Sequence, residues 1–416
     1  MLKNHIDDDT LVSFFKLFCL LYADDTVIFS DSPENLQSSL DIFANYCKEW
    51  KLTVNTQKTK VMIFSRGNPK MNYNFTLNSD PLDIVSEYKY LGIYFSKGGS
   101  FLSTKTHIAN QASRAMYSLI KKAKNLLLPI NMQIDLFNKL VKPILLYACE
   151  VWGYGNIDVI ERVQLKFLKI ILNMKSSTPN SMVYGETGTF PIKLDIYTRM
   201  ISFWTKLTDL ESNKLSASMY TIMYSHYSFS PNTGQNKFLW LKKIKNILIE
   251  CGFSGIWDNQ SYPNAKWLIT ATKQKLHDLF LNTWYENIQN SSSTYNYRIF
   301  KKSFGFENYL IQLPFKLRKY MIKFRTRNNK LPVEIGRWNK VPLNQRLCKL
   351  CSTDIGDEFH YLLTCKSIQE IRKQYLKRYY YTNPNTLKFE LLMNTKNKTE
   401  LRKICSFIGQ ILLLVE

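Results

Sequence analysis

Apolar residues change their period along this chain, and the change divides it. Residues 17–30 are apolar on both sides of Ala23-Asp24-Asp25, which reads as a β-hairpin with acids at its turn. Ser32, Pro33 and Glu34 then offer an N-cap, a proline at the first helical position and an early acid. Leu36, Leu40, Phe43, Cys47 and Trp50 follow at spacings of four and three, the single apolar stripe of a packed helix. Residues 61–65, 74–85 and 88–96 read as strands, the last ended by Gly98-Gly99.

Beyond that point the helical period dominates. Ile108, Ala112, Ala115 and Leu119 form one stripe, with Lys121, Lys122 and Lys124 at its end. Leu136, Leu140 and Ile144 form another, which Pro143 should kink or end. Ile160, Val163, Phe167 and Ile170 form a third. A polar stretch over 211–236 is the best candidate for a domain boundary. Helical patterns return over 238–250, closed by Gly252 as a C′ residue, and over 266–288. Residues 290–293 read as a second linker. The expected class is α+β.

Composition narrows the partners. The chain has 416 residues, 45% of them apolar, enough for a sizeable core. Its net charge of +23, from 56 Lys and Arg against 33 Asp and Glu, calls for a polyanionic partner, nucleic acid ahead of a membrane surface. The apolar run at 17–21, preceded by Lys16, is too short to span a bilayer, and the polar, acidic first ten residues carry no secretory signal. A nuclear or cytoplasmic location is expected. Cys19, Cys47, Cys149, Cys251 and Cys405 stand singly in apolar surroundings and read as small core residues.

Tyr22-Ala23-Asp24-Asp25 is the first candidate for chemistry. Two adjacent carboxylates on a tight turn can present both charges to one point, where they repel unless cations neutralise them. Magnesium does so in two-metal phosphoryl transfer. An ordinary Asp-Asp turn gives the same four residues. The surroundings add to them. Residues 20–30, Leu-Leu-Tyr-Ala-Asp-Asp-Thr-Val-Ile-Phe-Ser, resemble palm motif C of LINE-type, Jockey-like non-LTR retrotransposon reverse transcriptases. Residues 52–60, with Asn55-x-x-Lys58-Thr59, resemble motif D, and Tyr88-Lys89-Tyr90-Leu91-Gly92-Ile93 resembles motif E, the primer grip.

That resemblance implies a partial palm over 1–100 (hairpin, helix and primer-grip strands) and a thumb-like helical region over 101–210. It also implies a helical connector over 211–294 and a basic region with a zinc-binding cluster over 295–416. It implies that Asp24 and Asp25 bind Mg2+, with Asp24 touching both ions. Tyr22 would lie near the primer terminus or incoming nucleotide, and Tyr90, Leu91 and Gly92 would hold the primer. Lys58 would sit near the triphosphate as a catalytic acid, or is a solvated lysine. Gly92 gives close backbone approach, or marks a β-bulge.

The family places a third carboxylate, in motif A, well upstream of motif C, whereas 21 residues precede Tyr22 here. Asp7-Asp8-Asp9 does not replace it, because a polar loop does not reproduce a rigid metal ligand. The expectation is a truncated RNA-directed DNA polymerase, inactive alone. It would need the missing N-terminal polymerase part or an intact element copy, with an RNA template and DNA primer or target as partners. The alternatives are a non-catalytic, zinc-dependent nucleic-acid-binding protein and a decayed element remnant.

Cys348, Cys351, His360 and Cys365 give C-x2-C-x8-H-x4-C, the donor set of a closed, structural Cys3His zinc site. Just before it, over 298–349, Lys and Arg greatly outnumber the two acids, Glu307 and Glu334. Arg318, Lys323, Arg325, Arg327, Lys330 and Arg337 are expected to contact phosphate. The interleaved aromatics read as core ahead of base stacking.

Overall fold

The computed structural model describes residues 19–64, 73–210, 214–229 and 238–415. Asp7, Asp8, Asp9, Lys16, Ser65 and the two ends of the polar stretch over 211–236 lie outside the described residues. Among the described residues strands are confined to 19–96 and the rest is mainly helical, so the coarse class stands.

Strands β1 (Cys19–Tyr22) and β2 (Asp25–Ile28) form a two-stranded antiparallel hairpin, with Tyr22 opposite Asp25. Neither strand pairs with a further strand among the described residues. Cys19 is therefore exposed, contrary to its reading as a core residue. The Pro33–Glu49 helix starts as its sequence dictates, the Ser32 hydroxyl accepting from the Asn35 amide. Leu40, Ala44 and Cys47 are buried, but Trp50 falls at the C-cap and points to solvent.

This helix packs on a three-stranded sheet of order β3-β5-β4, formed by β3 (Lys60–Val61), β4 (Phe75–Leu77) and β5 (Asp80–Ile84). Phe75, Leu77 and Leu82 complete a small core with Leu40 and Val61. Two segments that read as single strands are hairpins. Asn78 and Ser79 both have positive φ (52° and 69°), the requirement of a two-residue turn between antiparallel strands. Leu91 and Gly92 (φ 46° and 81°) do the same between β6 (Glu87–Tyr90) and β7 (Ile93–Ser96).

From Ile93 to Val415 one apolar core is continuous. Its first layer is the Leu102–Asn125 helix, which buries Ile108, Ala112, Met116 and Leu119 against the Asp158–Ile171 helix. Pro143 acts as expected: the Ile130–Leu140 helix ends before it, and Pro143 opens the next short helix, Lys142–Leu145. The centre is the Ile192–Asp209 helix packed along the Ala265–Asn290 helix. Trp152, Trp204 and Trp284 are fully buried, and each indole N–H finds an oxygen, on Tyr147, Tyr220 and Ser181 in turn.

Within the stretch that reads as a linker, Leu215–Phe229 is a helix with Ala217, Tyr220 and Tyr227 buried. Polar side chains hid it: Tyr220 buries its ring while its hydroxyl accepts from Trp204 Nε1 and donates to Gln260 Oε1. Gly252 takes φ +81° after the Leu239–Glu250 helix, and the Phe253 amide donates back to Leu248 O, as a C′ glycine allows. At the C-terminal end the Lys398–Val415 helix packs on Phe315–Arg325. Among the described residues no helix is long and apolar enough to cross a membrane.

Candidate metal centre and acidic turn

Cys348, Cys351, His360 and Cys365 converge. Their ligand atoms all lie within 4.8 Å of one another. Each element that brings them together has a local cause. Leu347 bridges Ile355, the Cys348 amide donates to Asp354 O, and the Ser352 amide donates to Cys348 O, which closes the knuckle. Gly356 lets the knuckle approach Pro332: a Cβ there would stand 2.7 Å from Pro332 Cγ and 3.0 Å from Cys348 Cα.

The His360–Thr364 segment is a π turn, closed by the Cys365 amide donating to His360 O at 2.8 Å. On an α-helix a residue five positions on is rotated by about 140° from its starting face. The wider turn brings His360 and Cys365 back to one side, which gives the x4 spacing its physical meaning.

The donor distances fit a tetrahedral ion. Zinc–sulfur bonds of about 2.3 Å in a tetrahedron place two sulfurs about 3.8 Å apart. Cys348 Sγ and Cys365 Sγ are 3.8 Å apart, and Cys351 Sγ lies 3.3 Å from His360 Nε2. His360 Nδ1 meets the Thr364 hydroxyl at 3.0 Å, so the other ring nitrogen is turned to the centre. Asp357 Oδ1 accepts from the His360 amide, and Asn296 donates to both Asp357 and Glu358.

The thiols differ. Burial pushes Cys351 up, but hydrogen bonds from the Thr353 hydroxyl and amide outweigh it and bring it down to about 6. Burial, with Cys348 beside it, pushes Cys365 up to about 12. Ionising both together needs a cation, and the cluster can hold one.

The acidic turn is the opposite kind of place. Ala23 and Asp24 form the two-residue loop and Asp25 begins β2. Ala23 has φ +53°, a left-handed conformation that costs an L-residue roughly 1–2 kcal/mol. Tyr22, Asp24 and Asp25 are all exposed. Among the described residues no third carboxylate joins the two acids. Asn55 Oδ1 caps the Lys58 amide and the Thr59 hydroxyl donates to Asn55 O, so the Asn-x-x-Lys-Thr run builds its own turn and leaves the Lys58 side chain in solvent. Tyr88 donates to Lys58 O, tying that loop to β6.

Tyr90 and Leu91 sit at the β6–β7 turn, Tyr90 half-buried and Leu91 exposed. Gly92 is a turn residue and not a bulge, and a Cβ on it would meet the Tyr147 ring at 3.0 Å. The Tyr147 hydroxyl donates to Leu91 O, fixing the hairpin to the helical body.

The six cations proposed to contact phosphate do not share one surface. Arg325 is fully buried: it pairs with Glu186 through Nε and Nη2 at 3.1 Å, reaches Glu307 at 3.3 Å and donates to Met393 O. Burial pushes the Glu186 carboxyl up, but Arg325 and Lys301 outweigh it and hold it below its usual value. Arg327 is buried too, paired with Glu334 at 2.9 Å and donating to Ser292 O. Neither guanidinium can meet a phosphate in this fold, and the expectation for them is corrected. Helical periodicity could not reveal this for Arg325, because Glu186 lies 139 positions away; the acid of Arg327, Glu334, is near in sequence but on the following helix.

Arg337 is half-buried on Glu334, Arg318 half-buried with Nη1 on Leu310 O, Lys323 half-buried and Lys330 exposed. The core reading holds for Phe300, Tyr309 and Phe324, whereas Phe315 and Trp338 are exposed, Trp338 lying under Lys175.

Sequence reasoning missed a cation cluster beside the β6–β7 hairpin. Lys89 Nζ is 3.5 Å from His107 Nε2, and His107 packs edge-on to Tyr94. Burial and then Lys89 and Arg114 push the His107 imidazole down, with no carboxylate opposing them. Thr104 pins the junction, accepting from the Tyr94 amide and donating to Tyr94 O. The Leu102–Asn125 helix contains no acid, the one local signal that could have marked this face.

Residues 2–95 match the family described as reverse transcriptase (RNA-dependent DNA polymerase). An uncharacterised transposon-derived protein of Caenorhabditis elegans is 29% identical over 147 residues, 35% of this chain and 52% of that protein. The RNA-directed DNA polymerases from mobile element jockey of Drosophila funebris and Drosophila melanogaster are 27% and 25% identical, each match covering 36% of this chain and 17% of the relative. The chain thus spans about half of the first relative and about a sixth of the others. No solved structure matches it. The resemblance to non-LTR retrotransposon reverse transcriptases stands on these matches.

Proposed function

We propose that this chain handles nucleic acid as the palm-to-C-terminal portion of an RNA-directed DNA polymerase of a non-LTR retrotransposon. The observation that carries the reading is the pair of exposed carboxylates on a strained two-residue turn, inside the segment that matches the reverse-transcriptase family. Asp24 and Asp25 would hold magnesium. Two such ions, when bound, activate an attacking 3′-hydroxyl and stabilise the leaving pyrophosphate. Tyr22 would line the nucleotide site. Tyr90, Leu91 and Gly92 would hold the primer strand, with Lys89, His107 and Arg114 beside them to meet its phosphates. Lys58 remains a candidate acid. The division at 100, 210 and 294 is retained as a proposal, although the core runs on without a break from Ile93.

With no third carboxylate beside Asp24 and Asp25 among the described residues, the chain by itself should not polymerise. Incubated with a primed RNA template and Mg2+ or Mn2+, it is expected to give no extension. Extension that Asp24→Ala abolishes would overturn this.

A second reading, a zinc-dependent nucleic-acid-binding protein without catalysis, is favoured by the contrast between that exposed acid pair and the preformed Cys3His cluster. Zinc would sit on Cys348, Cys351, His360 and Cys365, and RNA or DNA would meet Arg318, Lys323, Lys330 and Arg337 on the remaining surface. One zinc per chain, lost in Cys351→Ser, is the expected elemental analysis.

A further inference from the structure

Arg372 is 3% exposed, on the helix Gln369–Tyr375 directly after the Cys/His cluster. Its guanidinium points back into the π turn: Nε donates to Leu362 O at 2.7 Å, and Nη2 donates to Cys365 O at 2.8 Å and Tyr361 O at 3.3 Å. All three acceptors are neutral carbonyls. Among the described residues no carboxylate pairs with it, and burial pushes the guanidinium down, with only the neighbouring Cys365 and Tyr381 side chains opposing that. This is unlike the other buried arginines. Arg325 has Glu186 and Glu307, and Arg327 has Glu334. A buried cation with no counter-charge costs several kcal/mol.

The cluster beside it has the opposite imbalance. Three thiolates and a neutral imidazole around a divalent ion leave one net negative charge in a buried place. Cys348 and Cys365 are almost wholly enclosed. Among the described residues, no other cation is shown donating to the His360–Cys365 segment. Each site lacks the charge that the other supplies.

We infer that Arg372 is the counter-charge of the Cys348–Cys351–His360–Cys365 metal centre, a positioning residue that couples zinc affinity to the Gln369–Tyr375 helix behind the π turn. The inference rests on the zinc reading above and adds a residue outside the donor set. Arg372 binds no metal. It neutralises the thiolate-rich centre and, through three carbonyls, holds Cys365 where the ion needs it.

The test uses the full chain. Zinc affinity is measured by competition with a chromophoric chelator, and melting temperature is measured before and after stripping with the same chelator. Arg372→Gln is expected to weaken zinc binding by about 10–100-fold. It should also shrink the stabilisation that zinc gives, because the stripped protein never needed the counter-charge. Arg372→Lys keeps the charge but cannot reach three carbonyls. It should melt lower than the parent but bind zinc more tightly than the glutamine variant, because the charge is retained while the carbonyl contacts are not. If Arg372 only ties carbonyls together, Arg372→Gln and the parent lose equal melting temperature on stripping and release zinc at the same chelator concentration. That result overturns the inference, as does a lysine variant that loses zinc as fully as the glutamine one. A parent chain without zinc fails differently: it overturns the metal reading itself.

Discussion

The hairpin carrying Asp24 and Asp25 and the knuckle carrying Cys348 and Cys351 are both short antiparallel pairings around a tight turn, yet they treat their reactive side chains oppositely. The hairpin leaves Leu21 and Tyr22 more than 60% exposed and its acids in water. The knuckle is enclosed by Tyr361, Pro332 and the π turn, and its hydrogen bonds reach from Asn296 to Arg372. Water can screen two adjacent carboxylates, so the first needs no partner to exist. Buried thiols cannot be ionised together without a cation, so the second is coupled to the fold. The same division separates Lys89 and Arg114, exposed on the surface, from Arg325 and Arg327, which serve packing.

The strongest way to break this comparison is metal removal. Stripping zinc, or Cys365→Ser, should unfold the region around 346–368 and lower the melting temperature sharply, since structural zinc contributes on the order of 10 kcal/mol. Asp24→Asn should leave stability within about 0.5 kcal/mol, as for an exposed residue outside any network. Hydrogen exchange that shows both changes to be equally mild would erase the distinction.

Next in size is the buried pair. Arg325→Leu strands Glu186 and should destabilise by about 3–5 kcal/mol in denaturant titration. A nearly neutral result would mean that the pair is replaceable by packing. The pH dependence follows from the lowered Glu186 carboxyl. Its folded value lies below the unfolded value of about 4.3, so its contribution is present above that pH and lost as pH falls through the folded value. Glu186→Gln should therefore flatten the acid limb of the stability curve.

The smallest effect sharpens the comparison on the surface side. Lys89→Gln with Arg114→Gln should leave folding intact and reduce the salt dependence of single-strand binding. Each lost phosphate contact removes about 0.7 from the log–log slope. An unchanged slope would move the nucleic-acid interface away from the hairpin–helix junction.

Local signals made much of this legible. Ser32 and Pro33 set a helix start, Gly252 a helix stop and Pro143 a break, each because one residue's backbone preference decides it. The Cys/His spacing announced a cluster, since a knuckle and one helical turn are short-range geometry. Of the two strand readings that missed their turns, one did so because Leu91-Gly92 is hidden within apolar alternation, whereas Asn78-Ser79-Asp80-Pro81 is a run of turn residues whose signal was legible and went unused. Leu215–Phe229 was read as linker because its tyrosines count as polar until their rings are packed.

The sequence by itself determined the hairpin with its two acids, most of the helices that follow, the Cys3His set that the fold gathers and a net charge of +23. It did not determine which of those charges face outward. Arg325 and Arg337 look alike along the chain, yet one is enclosed with Glu186 and the other lies half-exposed on Glu334. Arg372 carries no mark of its place beside Cys365. Periodicity reports which face of a helix is apolar. The partner of a buried charge is set by chain segments that meet only when the core closes, and that pairing belongs to the tertiary structure alone.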